Sequence, residues 1–137
     1  LVQRNLGLSL SDQYWIRPQG SGLTWEDINF FNNAFDDVSL SIAPFAPEGK
    51  AAAAKPDNTS DGNLQKYWTC EGERRILHKA GAHLDQEPYN ELVATALHRR
   101  ILNACDYVPY SLEGTGTSAL SICDVFLTDE EEYVPAF

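Results

Sequence analysis

The sequence predicts an α+β domain: an antiparallel β-sheet with one covering helix, preceded by an N-terminal helical segment. Three observations carry that expectation. Two β-prone runs, Tyr67-Trp68-Thr69-Cys70 and Arg75-Ile76-Leu77-His78-Lys79, flank the short break Glu71-Gly72-Glu73. A stretch rich in helix formers covers residues 88–102, and two further strand-like runs, residues 106–112 and 119–127, are separated by Glu113-Gly114-Thr115-Gly116-Thr117. Strand, strand, helix, strand, strand is the order of a layered α+β domain. A chain of 137 residues has room for one such core and not for two ordinary ones.

Taken in order, residues 1–10 form a short apolar opening, followed by the polar-aromatic stretch Ser11-Asp12-Gln13-Tyr14-Trp15-Ile16. Gln19-Gly20-Ser21-Gly22 has the composition of a turn. Thr24-Trp25-Glu26-Asp27 then reads as a helix start, with Thr24 as cap and Asp27 reaching back to it. The spacing predicts about three helical turns carrying Trp25, Ile28, Phe31 or Asn32, and Phe35 as a packing stripe. Residues 44–62 hold three prolines, two glycines and the run Ala51-Ala52-Ala53-Ala54, and read as a flexible connection. The expected organisation is a helical segment over 1–43 packed on the lobe, a connection over 44–62, and the sheet-and-helix lobe over 63–137.

Within the lobe a β-hairpin comes first. Pro88 in a first helical turn opens the helix, which ends in the basic Arg99-Arg100, where cations suit the negative end of the helix dipole. The run from Asp106 reads as a strand with Pro109 near its start, and residues 119–127 as another. Asp129-Glu130-Glu131-Glu132 is an acidic turn; its functional alternative is a docking contact for a basic partner.

Hydrophobic residues make up 43% of the chain and aromatics 11%, which excludes a wholly disordered polymer. Ten Lys and Arg stand against 20 Asp and Glu, for a net charge of -10. Such a chain repels phosphate backbones, so nucleic acid is not an expected direct partner. No apolar run approaches the roughly 20 residues of a membrane span, and no signal peptide opens the chain; a cytoplasmic chain without a membrane partner is expected. The sequence contains no methionine, which predicts a piece cut from a longer protein.

Cys70, Cys105 and Cys123 are odd in number and widely spaced, a pattern that suits neither a disulfide framework nor a zinc ribbon. Their apolar settings suggest buried, unreactive thiols. His78, His83 and His98 match no common zinc spacing and read as surface or structural histidines. Gly49-Lys50 lacks the remaining residues of a phosphate-binding P-loop. Thr59 and Ser60 read as turn hydroxyls, with phosphorylation as the functional alternative.

The chemistry resides in the order of parts. A turn containing Gly62 precedes the hairpin, its second strand ends in Lys79, and the next helix carries Glu91 near its start. A lysine on a central strand can reach nucleotide phosphates, and a glutamate on the adjacent helix can hold its ammonium extended, as in the N-terminal lobe of kinases. Spacing alone favours a surface salt bridge over the nucleotide reading. The helix is apolar nearly all round, so its pattern leaves the direction of Glu91 open, although Ala94, Thr95, His98 and Leu102 share its line.

Ser60-Asp61-Gly62-Asn63-Leu64-Gln65-Lys66, Arg75-Ile76-Leu77-His78-Lys79, Gln86-Glu87-Pro88-Tyr89-Asn90-Glu91-Leu92 and Asp106-Tyr107-Val108-Pro109 resemble, in that order, the N-terminal lobe of HipA-like bacterial kinases. Ser11-Asp12-Gln13-Tyr14-Trp15-Ile16 and Trp25-Glu26-Asp27-Ile28-Asn29-Phe30-Phe31 resemble segments upstream of that lobe in a Gram-positive branch of the family. The resemblance implies that Lys79 contacts ATP, that Glu91 orients it, and that Gly62, Gln65 and Lys66 belong to the phosphate loop. It further implies ATP with magnesium as cofactor of the intact protein, a protein hydroxyl as substrate and an antitoxin protein as partner. The loop departs from the family in having a single glycine and in placing Gln65 directly beside Lys66. The sequence contains no H-R-D-like or D-F-G-like segment, so the chain alone is expected to be catalytically inactive. The competing expectation is a non-catalytic acidic α+β module that binds a protein partner.

Overall fold

A computed structural model of the chain describes residues 6–35, 64–82 and 85–134. Its elements are a single-turn helix α1 (Trp25–Ile28), strands β1 (Lys66–Glu71) and β2 (Arg74–Ala80), helix α2 (Glu87–Ile101), and strands β3 (Ser111–Glu113) and β4 (Leu120–Asp124). The four strands form one antiparallel sheet in the order β1-β2-β4-β3. The α+β class with one main helix is therefore as the sequence predicts. Among the described residues no helix is long and apolar enough to cross a membrane.

The hairpin turns at Gly72 and Glu73, with Gly72 at φ +63°. Glycine adopts that left-handed conformation without a Cβ clash, which explains why the break between the strands is short. The register between β2 and β4 pairs Leu77 with Cys123 and Lys79 with Ser121, and that between β3 and β4 pairs Leu112 with Ser121. Opposed residues share a face and successive residues alternate. Leu77, Lys79, Leu112, Ser121 and Cys123 thus lie on one face of the sheet, and Ile76, His78, Ile122 and Glu113 on the other.

Three elements differ from their expected extents. The N-terminal helix is one turn rather than three, because asparagine side chains engage Glu26 O and the Asn32 N–H in place of the backbone ladder. Asn29 donates its side-chain amide to Trp25 O and accepts from the Asn32 N–H, while the Asn33 amide donates to Glu26 O and Asn29 O. Short amide side chains compete in this way with the backbone ladder and end a helix. Phe30, outside the helical stripe, is consequently fully buried; it meets Phe35 edge-on at 5.4 Å. Trp25 and Phe31 are half-buried, their rings 6.5 Å apart.

The strand expected from Asp106 is reduced to Ser111–Glu113. Pro109 offers no N–H, and the N–H of Tyr110 donates to Thr95 Oγ1 on α2 at 2.9 Å, so this stretch hangs from the helix instead of the sheet. The fourth strand is likewise confined to Leu120–Asp124. Finally, the three thiols do not share an environment: Cys123 is buried, Cys70 half-buried and Cys105 exposed.

The described residues fall into two compact units interleaved along the chain. One comprises residues 6–35, 68–75 and 127–134, with Leu8, Leu10, Ile28, Phe30, Phe35 and Trp68 buried. Its Arg75 is buried too, donating to the carbonyls of Phe30 (2.9 Å), Asn33 (3.1 Å) and Glu73. The acidic turn at Thr128–Glu131 belongs to this unit: the Glu131 carboxylate accepts from the Thr128 N–H and hydroxyl, and Gln13 donates to Asp129 O. The second unit comprises residues 64–67, 76–82 and 85–126, with Ile76, Leu77, Pro88, Thr95, Ala119, Ser121 and Cys123 buried. It contains Lys79 and Glu91, the strand lysine and helix glutamate singled out in the sequence. The expected connection over 44–62 lies outside the described residues.

Candidate functional site

Lys79 stands near the end of β2, on the sheet face that α2 covers. The helix begins with Pro88 in its first turn, and the two buried positions of that helix are Pro88 and Thr95. These residues set its rotation. Glu91 and Thr95, one turn apart, therefore face the sheet, whereas the larger apolar side chains point outward, with Val93, Leu97 and Ile101 exposed. The direction of Glu91, open from its pattern, is inward.

The ammonium of Lys79 makes a close ion pair with Glu91 Oε1. It also donates to Tyr110 OH at 3.3 Å and lies 4.7 Å from the centroid of the Tyr110 ring. The Lys79 side chain is 15% exposed and that of Glu91 30%, so the pair is more shielded than an ordinary surface salt bridge and still open to solvent on the glutamate side. Behind it lies Cys123, whose thiol burial pushes above its usual pKa, while the Tyr110 hydrogen bond and the charge of Lys79 pull it down. Such a thiol is predominantly protonated at neutral pH.

Of the other expected site residues, Gln65 lies at the open end of the hairpin, where its carbonyl accepts from the Ala80 N–H at 2.9 Å. Lys66 is the first residue of β1. This places the backbone of Gln65 one residue along the ladder from Lys79, in the same end of the sheet. Gly62, Thr59, Ser60 and His83 lie outside the described residues.

On the opposite face a second cluster forms. His78 is buried, its Nδ1 lies 2.9 Å from Glu113 Oε2, and its ring stacks on Tyr67 at 4.5 Å with the planes 5° apart. Burial and the Glu113 charge raise the Tyr67 phenol above its usual pKa. Apart from this cluster, His98 on α2 lies edge-on to Tyr107 at 5.7 Å. Among the described residues no group of three His, Cys, Asp or Glu side chains could hold a metal ion.

Sequence reasoning missed Tyr110 and the contribution of Thr95. Thr95 was legible as part of the Glu91 line at i+4; Tyr110 carried no signal, because its position over Lys79 depends on how the segment after α2 folds back. Compared with family models, curated proteins and solved structures, the chain finds no match in any of the three.

Proposed function

We propose that the unit containing residues 76–82 and 85–126 is a nucleotide-binding lobe of a HipA-like kinase, with Lys79 as the phosphate-contacting residue and Glu91 as the residue that holds it. The observation that carries this reading is the Lys79 to Glu91 ion pair between the central strand β2 and helix α2. An ammonium has three donors. Two are directed at Glu91 and Tyr110, which leaves one for an incoming phosphate oxygen. Gln65 and Lys66 are the further residues that would face the nucleotide, together with Gly62 from the expected loop. ATP with magnesium would supply the transferable phosphoryl group; this chain's part is to bind and orient. Phosphoryl transfer to a protein hydroxyl belongs to a longer, cytoplasmic kinase of which this lobe is one piece, with an antitoxin protein as partner.

The test is titration of the isotope-labelled chain with ATP and magnesium, followed by backbone amide shifts. Binding weaker than about 1 mM is expected, equivalent to only about -4 kcal/mol, with shifts centred on Lys79, Gln65 and Lys66. Lys79→Met removes the response and Glu91→Gln weakens it. A response that survives Lys79→Met unchanged refutes the reading.

A second reading, a non-catalytic acidic protein-interaction module, has one observation in its favour: Val93, Leu97 and Ile101 are 59%, 55% and 74% exposed along α2. A contiguous apolar helix face of this kind suits a protein partner.

A further inference from the structure

Three contacts and one turn of α2 close a ring through three segments of the chain. Glu91 and Thr95 lie one turn apart on α2. Thr95 Oγ1 accepts the backbone N–H of Tyr110. Tyr110 OH accepts from Lys79 Nζ, and Lys79 Nζ pairs with Glu91. Thr95 is 4% exposed, so its hydroxyl is sheltered from water, where a hydrogen bond is more discriminating. The residue before Tyr110 is Pro109, whose fixed φ limits the ways this stretch can approach the helix.

We infer that Thr95 and Tyr110 are positioning residues for the Lys79 ammonium, the Thr95 hydroxyl fixing the Tyr110 backbone so that the phenol oxygen and ring hold Nζ in place independently of Glu91. The inference rests on the reading of Lys79 as an anion-binding group. Its consequence is chemical. An arriving phosphate competes with the Glu91 carboxylate for the ammonium, and a lysine held by Glu91 alone would lose its only anchor as that pair loosens. Tyr110 is neutral, so it keeps its hold without competing electrostatically with the incoming anion. Glu91 then sets the resting position, and Tyr110 keeps the lysine stem aligned in the bound state.

Tyr110→Phe removes the hydroxyl and keeps the ring. Thr95→Val removes the acceptor at nearly constant volume, and Thr95→Ser restores it.

The experiment uses the full chain and two readouts. The first is the nitrogen-proton signal of the Lys79 ammonium, which reports immobilisation of Nζ whether or not any ligand binds. In Thr95→Val and Tyr110→Phe this signal is expected to broaden or shift toward that of a free lysine, and in Thr95→Ser to return. The second is the affinity for ATP with magnesium, expected to fall about 2- to 10-fold in Thr95→Val and Tyr110→Phe, the loss of one net hydrogen bond, while Thr95→Ser matches the parent chain. An unchanged ammonium signal in both Thr95→Val and Tyr110→Phe overturns the inference, even where Lys79→Met abolishes ATP binding and the nucleotide reading stands. An ammonium signal that responds as expected in a chain indifferent to ATP supports the positioning ring and refutes the nucleotide reading instead. Tyr110→Phe keeps the test decisive if Thr95→Val fails to fold, since it leaves every backbone hydrogen bond in place.

Discussion

At the scale of single residues, the chain shows how one carboxylate can organise a segment without being buried. Asp27 accepts both the N–H and the hydroxyl of Thr24, at 3.0 and 2.8 Å, and these bonds hold its carboxyl below the usual carboxylate pKa. A depressed folded-state pKa contributes stability that is fully present above the unfolded value, about 3.9, and is lost as pH falls through the folded one. Asp27→Ala is therefore expected to melt below the parent chain at neutral pH, with the difference narrowing as pH drops below about 4. Thermal melts of the two chains across that range check this, and a gap independent of pH refutes it. Asp106 follows the same logic: hydrogen bonds from Asn103 lower its carboxyl pKa, so Asp106→Ala should show the same pH trend in the turn that follows α2. Lys79 and Glu91 were legible as a candidate pair from type and order, and the structure brings them together. Tyr110 was not, since an aromatic after Pro109 carries no mark of the ammonium beneath it.

At the scale of elements, the hairpin and α2 were legible because each is specified locally. β-Prone runs around a glycine turn, and a proline-led run of helix formers, need little help from elsewhere. The elements that differ are those where a side chain captured a backbone group: Asn29 and Asn33 end α1, and Thr95 takes the N–H of Tyr110. The turn between β3 and β4 is also locally specified. Gly114 has φ +74°, and a Cβ there would stand 2.8 Å from Ser118 O. Gly114→Ala is thus expected to destabilise the second unit by about 1 to 3 kcal/mol, from left-handed strain and a backbone clash. Denaturant unfolding measures it; a neutral substitution would show that the turn relaxes freely.

At the scale of the whole molecule, the two compact units do not follow the linear order of the chain. Residues 68–75, in the turn end of the hairpin, belong with residues 6–35, and buried Arg75 donates to carbonyls of Phe30 and Asn33. Deleting residues 1–43 removes two of the three acceptors of a buried guanidinium. The truncated chain is expected to lose several degrees or more in melting temperature, since leaving a buried charged donor unpaired costs on the order of 1 to 3 kcal/mol. A remainder as stable as the full chain would show that the N-terminal residues contribute nothing to it.

What the sequence by itself determined is the α+β class, the hairpin, the long helix, and the presence of a lysine and a glutamate on neighbouring elements. These follow from periodicity, turn residues and composition, all of which act over a few residues along the chain. The tertiary structure alone decided the strand order β1-β2-β4-β3, the inward direction of Glu91, the burial of Phe30 and the placement of Tyr110 over Lys79. Each of these is a contact between residues distant in sequence. The rotation of α2 illustrates the physical reason: its apolar residues run nearly all round, so no stripe selects a buried face. The choice fell to Pro88 and Thr95, because a hydroxyl that satisfies the Tyr110 N–H can be buried without an unpaired polar group.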